Sequence, residues 1–293
     1  MTLWKKYLQP STVENALGAL DLEPALSTII AGGTDLLLDL KQGRHSPIKT
    51  LIDVTHIPEM TLLQTQDEFL HIGAACPLNE IILDLDVQNH AQGLAEACGL
   101  IGGPQVRNVA TLGGNVGHAL PAGDGTIALI SLRAEAQIAS PDGRKWIPVE
   151  MLFKGPGQPS YDRSQNIIVA FRLPLRSEGE GSAFKRVMRP QGVAIAILNI
   201  GIWLRRVHGG IVEDIQLAVG PAGPRPLRAL KTEAVLRGKT YKSMHIQSAV
   251  KQLLQEVKLR TSAYRSTKAY REHILPTLFT RTLTEAWERA AIE

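Results

Sequence analysis

Residues 31–43, AGGTDLLLDLKQG, place a glycine turn before a helix and determine how the N-terminal part of the chain folds. The apolar residues 27–31 before the turn predict a buried strand, and residues 36–41 predict a short helix that ends at Gly43. A glycine turn at a helix N-terminus can bind an anion through its amides. The turn has neither the Gly-Lys-Ser/Thr nor the Gly-x-Gly-x-x-Gly pattern of familiar phosphate loops, so on its own it favours a structural role.

The segments around this turn continue the same alternation. Residues 11–20 predict a helix with Ser11 or Thr12 as its N-cap, and residues 50–54, TLIDV, predict another strand. The beginning of the chain is therefore expected to form a small αβαβ unit. Asp35 is expected to cap the helix that follows the glycine turn.

A second glycine motif, TLGGNVGHALPAGD, occupies residues 111–124. It lies in a glycine-rich stretch, 101–125, which predicts a long structured loop, and a helix is expected at 126–132. Two glycine turns suit a ligand with two phosphates, such as a dinucleotide, held between two subdomains. Asp124 is suited either to accept hydrogen bonds from ribose hydroxyls or to cap the following helix.

The rest of the chain divides at a polar, glycine-rich stretch, RSEGEGS, at residues 176–182. Before it, the patterns predict hairpins and helices and a last strand at 167–173. After it, three strands joined by short links predict an antiparallel sheet, followed by helices with a break or kink at Pro276. The predicted strands lie at 62–64, 69–73, 137–140, 146–148, 182–188, 193–204 and 211–219. The predicted helical segments lie at 78–84, 91–100 and 231–293.

Composition limits the classes of protein that the chain can belong to. With 293 residues and 44% apolar content the chain can bury a large core. No apolar run approaches the ~20 residues of a membrane helix, and the N-terminus lacks a signal-peptide core. We therefore expect a cytoplasmic protein without membrane insertion.

The chain has two cysteines, Cys76 and Cys98, which are too few for a four-thiolate cluster. Any iron–sulfur chemistry is therefore expected on another chain. As single side chains, both cysteines are more readily interpreted as small buried apolar residues than as nucleophiles.

Positive charge is concentrated late in the sequence. Residues 225–271 contain twelve Lys or Arg and two Asp or Glu, a local charge of +10. Such a segment can bind nucleic acid. Because aromatic residues are few and no nucleic-acid-binding module is recognisable, a solvated or partner-facing surface is favoured.

Taken together, several segments resemble the FAD-binding (medium) subunits of the molybdenum hydroxylases, of the carbon monoxide dehydrogenase and xanthine dehydrogenase type. AGGTDLL resembles the first flavin loop of that family, and QVRNVATLGGNVGHALPAGD, at 105–124, resembles the second. Later segments follow in the family's order: IPVEMLFKGPG, IIVAFRLP, FKRVMRPQGVAIAILNIGI, AVGPAGPRPLRALKTEAVLRGK and SAYRSTKAYREHILPTLFTRTL.

The resemblance implies an α+β fold. An FAD-binding domain of the PCMH type, residues 1–176, would consist of subdomains at about 1–56 and 57–176. A small domain, 177–293, would contain a three-stranded antiparallel sheet and helices. The residues implied to contact FAD are Ala31, Gly32, Gly33, Thr34, Asp35, Thr111, Gly113, Gly114, Asn115, Asp124 and Lys185.

The same resemblance implies an oxidoreductase subunit that transfers electrons. A molybdenum-cofactor subunit would oxidise the substrate, and an iron–sulfur subunit with two 2Fe–2S clusters would pass the electrons to FAD. An external acceptor (NAD, a quinone, ferredoxin or oxygen) would then receive them. The assembly would be a heterotrimer or a dimer of heterotrimers, and this chain would contain no catalytic side chain and no metal ligand.

Two alternatives stay open at this point. One is a self-sufficient flavin oxidase of the same domain type, in which His118 of the second motif could tether the flavin covalently. The other is a flavin-free assembly module that acts through the basic C-terminal surface. The presence of both glycine motifs argues against the second alternative.

Overall fold

The computed structural model describes residues 3–189 and 195–291. The chain forms three structural units in sequence order: a three-stranded sheet with helices, a five-stranded sheet with helices, and a second five-stranded sheet covered by helices on both faces. Within the described residues, no helix is long and apolar enough to cross a membrane.

The first unit is a parallel three-stranded sheet with two helices. Thr12 caps the first helix through its hydroxyl, which accepts a hydrogen bond from the amide of Asn15 at 3.2 Å. The sheet order is β1-β3-β2. The sequence did not predict β1, because this three-residue strand is exposed and has no apolar pattern. The elements are β1 (Lys6–Leu8), α1 (Val13–Leu22), β2 (Ser27–Ile30), α2 (Leu36–Lys41) and β3 (Thr50–Asp53).

The second unit is an antiparallel five-stranded sheet of order β4-β5-β10-β6-β7, with seven helices and a small hairpin around it. Its elements are α3 (Pro58–Thr61), β4 (Leu63–Gln66), β5 (Phe69–Gly73), α4 (Leu78–Leu83), α5 (Leu85–His90), α6 (Gln92–Leu100), α7 (Pro104–Arg107), α8 (Leu112–Gly117), α9 (Asp124–Ser131), β6 (Glu135–Ser140), β7 (Gly143–Pro148), a 3-10 turn (Val149–Leu152), β8 (Phe153–Gly155), β9 (Gln158–Pro159) and β10 (Ile167–Pro174).

The glycine-rich stretch 101–125 is not the long loop that the sequence predicts. It contains the two short helices α7 and α8, and α9 already begins at Asp124. Helix α8 forms because Thr111 caps it, its hydroxyl accepting a hydrogen bond from the amide of Gly114 at 3.0 Å. A capped N-terminus thus overrides the low helix propensity of the double glycine.

The third unit is an antiparallel sheet of three long strands, as predicted, with two very short strands added to β13. The predicted strand at 193–204 is β12; it begins at Leu198, and residues 193 and 194 lie outside the described part of the chain. The elements are β11 (Glu180–Val187), β12 (Leu198–Val207), β13 (Ile211–Gly220), β14 (Leu227–Arg228), α10 (Leu230–Leu236), β15 (Lys239–Thr240), α11 (Ser243–Glu256) and α12 (Lys268–Arg289).

Of the kink or break predicted at Pro276, the break does not occur. Helix α12 continues through Pro276 for 22 residues. Its inner face packs into the core of the third unit through Leu275, Phe279 and Leu283, all at most 1% exposed. This burial outweighs the one backbone hydrogen bond that proline cannot donate.

Two hydrophobic cores meet at β11. Phe184 belongs to the core shared with the second unit, whereas its neighbour Ala183 belongs to the core formed with the C-terminal helices. Successive side chains of a strand point to opposite faces, so one face of this sheet is covered by α6 and α9 and the other by α12. The third unit is thereby packed directly against the elements that carry the second glycine motif.

Candidate functional site

The first glycine loop, residues 31–35, follows β2 at the edge where all three parallel strands of the first unit end. Its shape requires glycine at two places. Gly33 has φ +65°, the left-handed region that side chains disfavour. At Gly32 a Cβ would lie 1.9 Å from the carbonyl oxygen of Val109, so the backbone of the loop lies directly against the backbone at Val109.

This contact brings the two glycine motifs together. Val109 and Ala110 lead into Thr111, the cap of α8, and Gly32 lies against both of them. The motifs are about eighty residues apart in sequence but adjacent in space, on either side of the junction between the first and second units. The prediction that a ligand could touch both is therefore geometrically feasible.

The backbone amides of the first loop have no acceptor in the part of the chain that the structure describes. Among the residues that the structure describes, none accepts a hydrogen bond from any amide of residues 31–35. Thr34 and Asp35 are exposed, and Asp35 occupies the N-cap position of α2 without a capping hydrogen bond from its side chain. The expected capping role of Asp35 is thus wrong, and the amides of the loop are left without an acceptor among the described residues.

Beside this loop, a buried aspartate at the end of β3 is hydrogen-bonded to a tyrosine of β1. Asp53, at the end of β3 and 4% exposed, accepts hydrogen bonds from the Tyr7 hydroxyl at 2.8 Å and from the amide and hydroxyl of Thr55 at 2.9 and 2.7 Å. Burial and this carboxylate raise the pKa of Tyr7 to about 12. The hydrogen bonds outweigh the burial of Asp53 and lower the pKa of its carboxyl. Sequence reasoning missed this cluster, since nothing local to residue 53 marks it.

In the second motif, by contrast, the glycine amides are already used. Gly113 donates to the carbonyl of Ala74 at 2.8 Å, Gly114 to the Thr111 hydroxyl, and Asn115 to the Thr111 carbonyl at 3.1 Å. A Cβ at Gly113 would lie 2.5 Å from the Ala74 oxygen. This glycine pair therefore allows a close approach to β5 and a capped helix start, and it does not form an open nest of donors.

Asn115 and Asp124 connect the second motif to its surroundings. The Asn115 side chain accepts a hydrogen bond from the Thr126 amide at 3.2 Å. Asp124, 5% exposed, forms an ion pair with Arg186 and accepts from the Asn199 amide group at 2.6 Å. Burial raises the pKa of Asp124, opposed by Arg186 and Asn199. Both carboxylate oxygens thus have partners inside the fold, linking α9 to β11 and β12.

Lys185 and Arg186 lie on opposite faces of β11. Lys185 forms an ion pair with Glu285 of α12, on the face covered by the C-terminal helices. Arg186 extends toward Asp124 and the second motif. The structure therefore does not bring the Lys185 side chain to the glycine motifs. Sequence reasoning missed Arg186, although strand alternation between two cores was the signal that could have identified it.

Neither cysteine has the features of a reactive thiol. Burial, reinforced by Glu80, raises the pKa of Cys76 to about 12. Cys98 is completely buried, and burial raises the pKa of its thiol as well. Both thiols are therefore protonated at neutral pH, which supports their interpretation as buried apolar residues. His118 lies at the C-terminal end of α8, where its backbone continues the helix.

These features fit a flavin dinucleotide. Five successive amides without an acceptor among the described residues supply neutral donors for a diphosphate, and the helix that follows adds its dipole. The glycines at 32 and 33 keep side chains away from these donors. FAD has the diphosphate that such a row can hold and is long enough to reach past it along the junction between the units.

Comparison with known proteins gives the family. Residues 3–176 match the family described as "FAD binding domain in molybdopterin dehydrogenase", and residues 182–286 match the "CO dehydrogenase flavoprotein C-terminal domain". The chain is 31% identical over 284 residues to the xanthine dehydrogenase FAD-binding subunit of Escherichia coli O157:H7, covering 96% of this chain and 95% of that protein. It is 28% identical over 286 residues to the carbon monoxide dehydrogenase medium chain of Hydrogenophaga pseudoflava, covering 98% of both.

Solved structures agree. A chain of the carbon monoxide dehydrogenase from Hydrogenophaga pseudoflava superposes with a TM-score of 0.92 at 28% identity and 98% coverage of both chains. A chain of quinoline 2-oxidoreductase from Pseudomonas putida 86 shares the fold, with a TM-score of 0.89 at 21% identity and 98% coverage of both chains. The chain therefore belongs to the FAD-binding (medium) subunits of the molybdenum hydroxylases, a family of oxidoreductases.

Proposed function

We propose that this chain is the electron-transfer subunit of a multi-subunit molybdenum hydroxylase, in which it holds FAD between an iron–sulfur subunit and an external electron acceptor. The observation that carries the proposal is that the amides of residues 31–35 have no acceptor in the described ranges of the chain, in a loop that lies directly against the segment leading into the second glycine motif. FAD, when bound, supplies the ability to take up electrons singly and to deliver them as a pair.

The two glycine motifs would have different roles in FAD binding. Gly32, Gly33 and Thr34 would bind the diphosphate through backbone amides and the Thr34 hydroxyl, with Ala31 and Asp35 at the two ends of the row. In the second motif, Thr111, Gly113, Gly114 and Asn115 would form the opposite wall of the junction. Asp124, anchored by Arg186, would hold that wall against the third unit. A contact of Lys185 with the flavin remains a prediction, which its ion pair with Glu285 does not support.

Substrate oxidation would take place on a molybdenum-cofactor subunit, and an iron–sulfur subunit would supply the electrons. Two observations support this division. The chain contains only two cysteines, and both are buried. Within the described ranges 3–189 and 195–291, no group of three His, Cys, Asp or Glu side chains is placed to hold a metal. We further propose a heterotrimer, or a dimer of heterotrimers, in the cytoplasm.

A visible spectrum of the purified chain, recorded before and after acid precipitation, tests the proposal. We expect flavin bands that move into the supernatant, and iron–sulfur absorbance only when the chain is co-expressed with its genomic neighbours. Flavin that stays with the precipitated chain would instead support a self-sufficient oxidase with covalent FAD. A protein that stays colourless in the presence of FAD and its partners would overturn the proposal.

A further inference from the structure

Strand β11 carries Arg186, the residue that anchors Asp124, and it lies at the edge of the third sheet. Its neighbour on the open side is helix α6 of the second unit, which packs against it. Backbone groups at an open strand edge need hydrogen-bond partners from outside the sheet. The contacts that hold this edge against α6 therefore determine where Arg186 lies relative to the second glycine motif.

Two side chains bind the open edge of β11. Glu96 of α6 accepts a hydrogen bond from the amide of Phe184 at 2.8 Å. Arg289, the last residue of α12, donates through Nη1 to the carbonyl of Ser182 at 2.8 Å. Arg289 also forms an ion pair with Glu96 through Nη2. A carboxylate and a guanidinium 193 positions apart in sequence are thus joined to each other and to the same strand edge.

This ion pair belongs to a network of four charges that balance. Arg289 also pairs with Glu285, which pairs in turn with Lys185 on the other face of β11. The four side chains are each at most 33% exposed. Hydrogen bonds between charged groups that are partly shielded from water are stronger than exposed ion pairs. The network therefore links α6, β11 and α12 more firmly than surface ion pairs would.

Both helices also approach the strand at backbone distance. At Gly181 a Cβ would lie 2.3 Å from the carbonyl oxygen of Ala286, so the end of α12 lies directly on the start of β11. Gly93 of α6 donates its amide to the Ser182 hydroxyl at 3.1 Å, and a Cβ there would lie 3.2 Å from the backbone of Ala183. Strand β11 is therefore held closely between α6 and α12.

Arg186 lies two residues beyond Phe184 on the same face of β11, which is about 7 Å along the strand. From there its guanidinium forms the ion pair with Asp124, the first residue of α9. Helix α9 also packs against α6, so the two helices form one surface against β11. A shift of β11 relative to α6 would therefore move Arg186 relative to Asp124.

We propose that Glu96 and Arg289 are positioning residues for FAD binding. By holding the edge of β11 against α6, they place Arg186 on Asp124 and so fix the wall that the second glycine motif contributes to the flavin site. This inference rests on the proposed function, because it takes the junction between the two motifs as the FAD site. The same network gives Lys185 a role at β11, as the counterion of Glu285.

The test is a titration of the full chain with FAD, followed by flavin fluorescence at a temperature where every variant is folded. We expect Arg289→Met to weaken FAD binding about tenfold. In the Arg186→Met background the same replacement should change the Kd by less than about twofold, because the residue through which Arg289 acts is already gone. A merely structural role of Arg289 predicts the same factor in both backgrounds.

Glu96 gives a second, independent series. Glu96→Gln keeps an oxygen that can accept from the Phe184 amide, so it should weaken FAD binding about threefold, whereas Glu96→Ala should weaken it about tenfold. This series decides the question should Arg289→Met fail to fold. Trp287→Leu is the matched control, since Trp287 lies on the same helix but stacks on Tyr241, 4.5 Å between ring centroids, outside the network. It should lower the Tm and leave the Kd within about twofold of the wild type.

The outcomes separate this inference from the function on which it rests. Wild-type affinity in both Arg289→Met and Glu96→Ala, or an equal loss with and without Arg186, would overturn the inference and leave the proposed function intact. A wild-type chain that binds no FAD would overturn the proposed function, and the inference with it.

Discussion

Residues 31–35 and 111–115 share a sequence pattern, a double glycine beside a small polar residue, yet their backbone amides differ in hydrogen bonding. In the first loop the five amides have no acceptor among the described residues. In the second, Gly113, Gly114 and Asn115 all donate to atoms of the protein. One motif offers donors to a ligand, whereas the other uses them to build a helix start.

The difference comes from what each glycine pair lies against. Gly32 and Gly113 both touch a carbonyl that a Cβ would overlap, Val109 in one case and Ala74 in the other. The first loop also contains a left-handed residue, Gly33, whereas none of residues 111–115 has a positive φ. A double glycine therefore indicates close backbone approach in both places, and the open row of donors depends on the turn that follows.

The largest effect is expected for Gly32→Ala. Its Cβ would lie 1.9 Å from the Val109 oxygen, so the first loop has to separate from the second motif. We expect a loss of about 3 kcal/mol in the free energy of unfolding and a weakening of FAD binding by roughly 100-fold. Urea unfolding and flavin fluorescence titration measure the two quantities.

Gly18→Ala provides the control, because Gly18 lies in α1 with nothing within 4 Å of its Cβ position. This variant should be neutral or gain up to about 1 kcal/mol, as expected for alanine in a helix, and should bind FAD as the wild type does. If Gly32→Ala behaved like Gly18→Ala, the contact between the motifs would be unimportant.

The next effect concerns the anchor of the second motif. Asp124→Asn leaves Arg186 buried without a negative partner, so we expect a loss of about 3 kcal/mol in stability by chemical denaturation. The double variant with Arg186→Met should recover part of that loss. Glu213→Gln, which breaks the exposed ion pair with Arg205, should cost less than about 1 kcal/mol. Equal losses in the two single variants would contradict the buried role of Asp124.

Smaller effects are expected at the two threonines, where one variant should mainly lose FAD affinity and the other should mainly lose stability. Thr34 is exposed in the first loop, so Thr34→Ala should leave stability within about 0.5 kcal/mol and weaken FAD binding about tenfold. Thr111→Val removes the cap of α8 and should cost about 1 kcal/mol of stability. Its FAD affinity should change less than that of Thr34→Ala. The reverse pattern would assign the diphosphate to the second motif.

The smallest effect is expected at the strand ends beside the first loop. The pKa of Tyr7 is raised from its ordinary value of 10.0 to about 12 in the folded protein. The stabilisation from its hydrogen bond to Asp53 is therefore complete below pH 10 and is lost as pH rises toward 12. Tyr7→Phe should be slightly less stable at neutral pH and lose less stability over that alkaline range, whereas Tyr264→Phe, at an 88% exposed position, should follow the wild type.

Much of the fold could be predicted from the sequence, because α1, β2, α2 and the three long strands of the third unit have clear periodicity. The failures have physical causes. β1 is an exposed three-residue strand held by pairing with β3, which no local pattern reveals. α8 depends on the Thr111 cap, and α12 continues through Pro276 because tertiary packing overrides local propensity.

The site was predicted less completely than the fold. The first loop was identified because glycine has few substitutes at positive φ and at close contacts. The Tyr7–Asp53 bond and the Asp124–Arg186 pair each join residues more than forty positions apart, so only the folded chain shows them. Lys185 was named from the family resemblance alone, and Arg186 was missed because the sequence does not say which face of β11 points to the second motif.

Amide hydrogen exchange with and without FAD tests most directly whether the first loop holds the diphosphate. Without FAD, the amides of residues 31–35 should exchange fast and those of Gly113, Gly114 and Asn115 slowly. With FAD bound, the account predicts strong new protection at 31–35 and little change at 113–115. If FAD left residues 31–35 unprotected while protecting 113–115, the diphosphate would lie on the second motif and the central claim would be wrong.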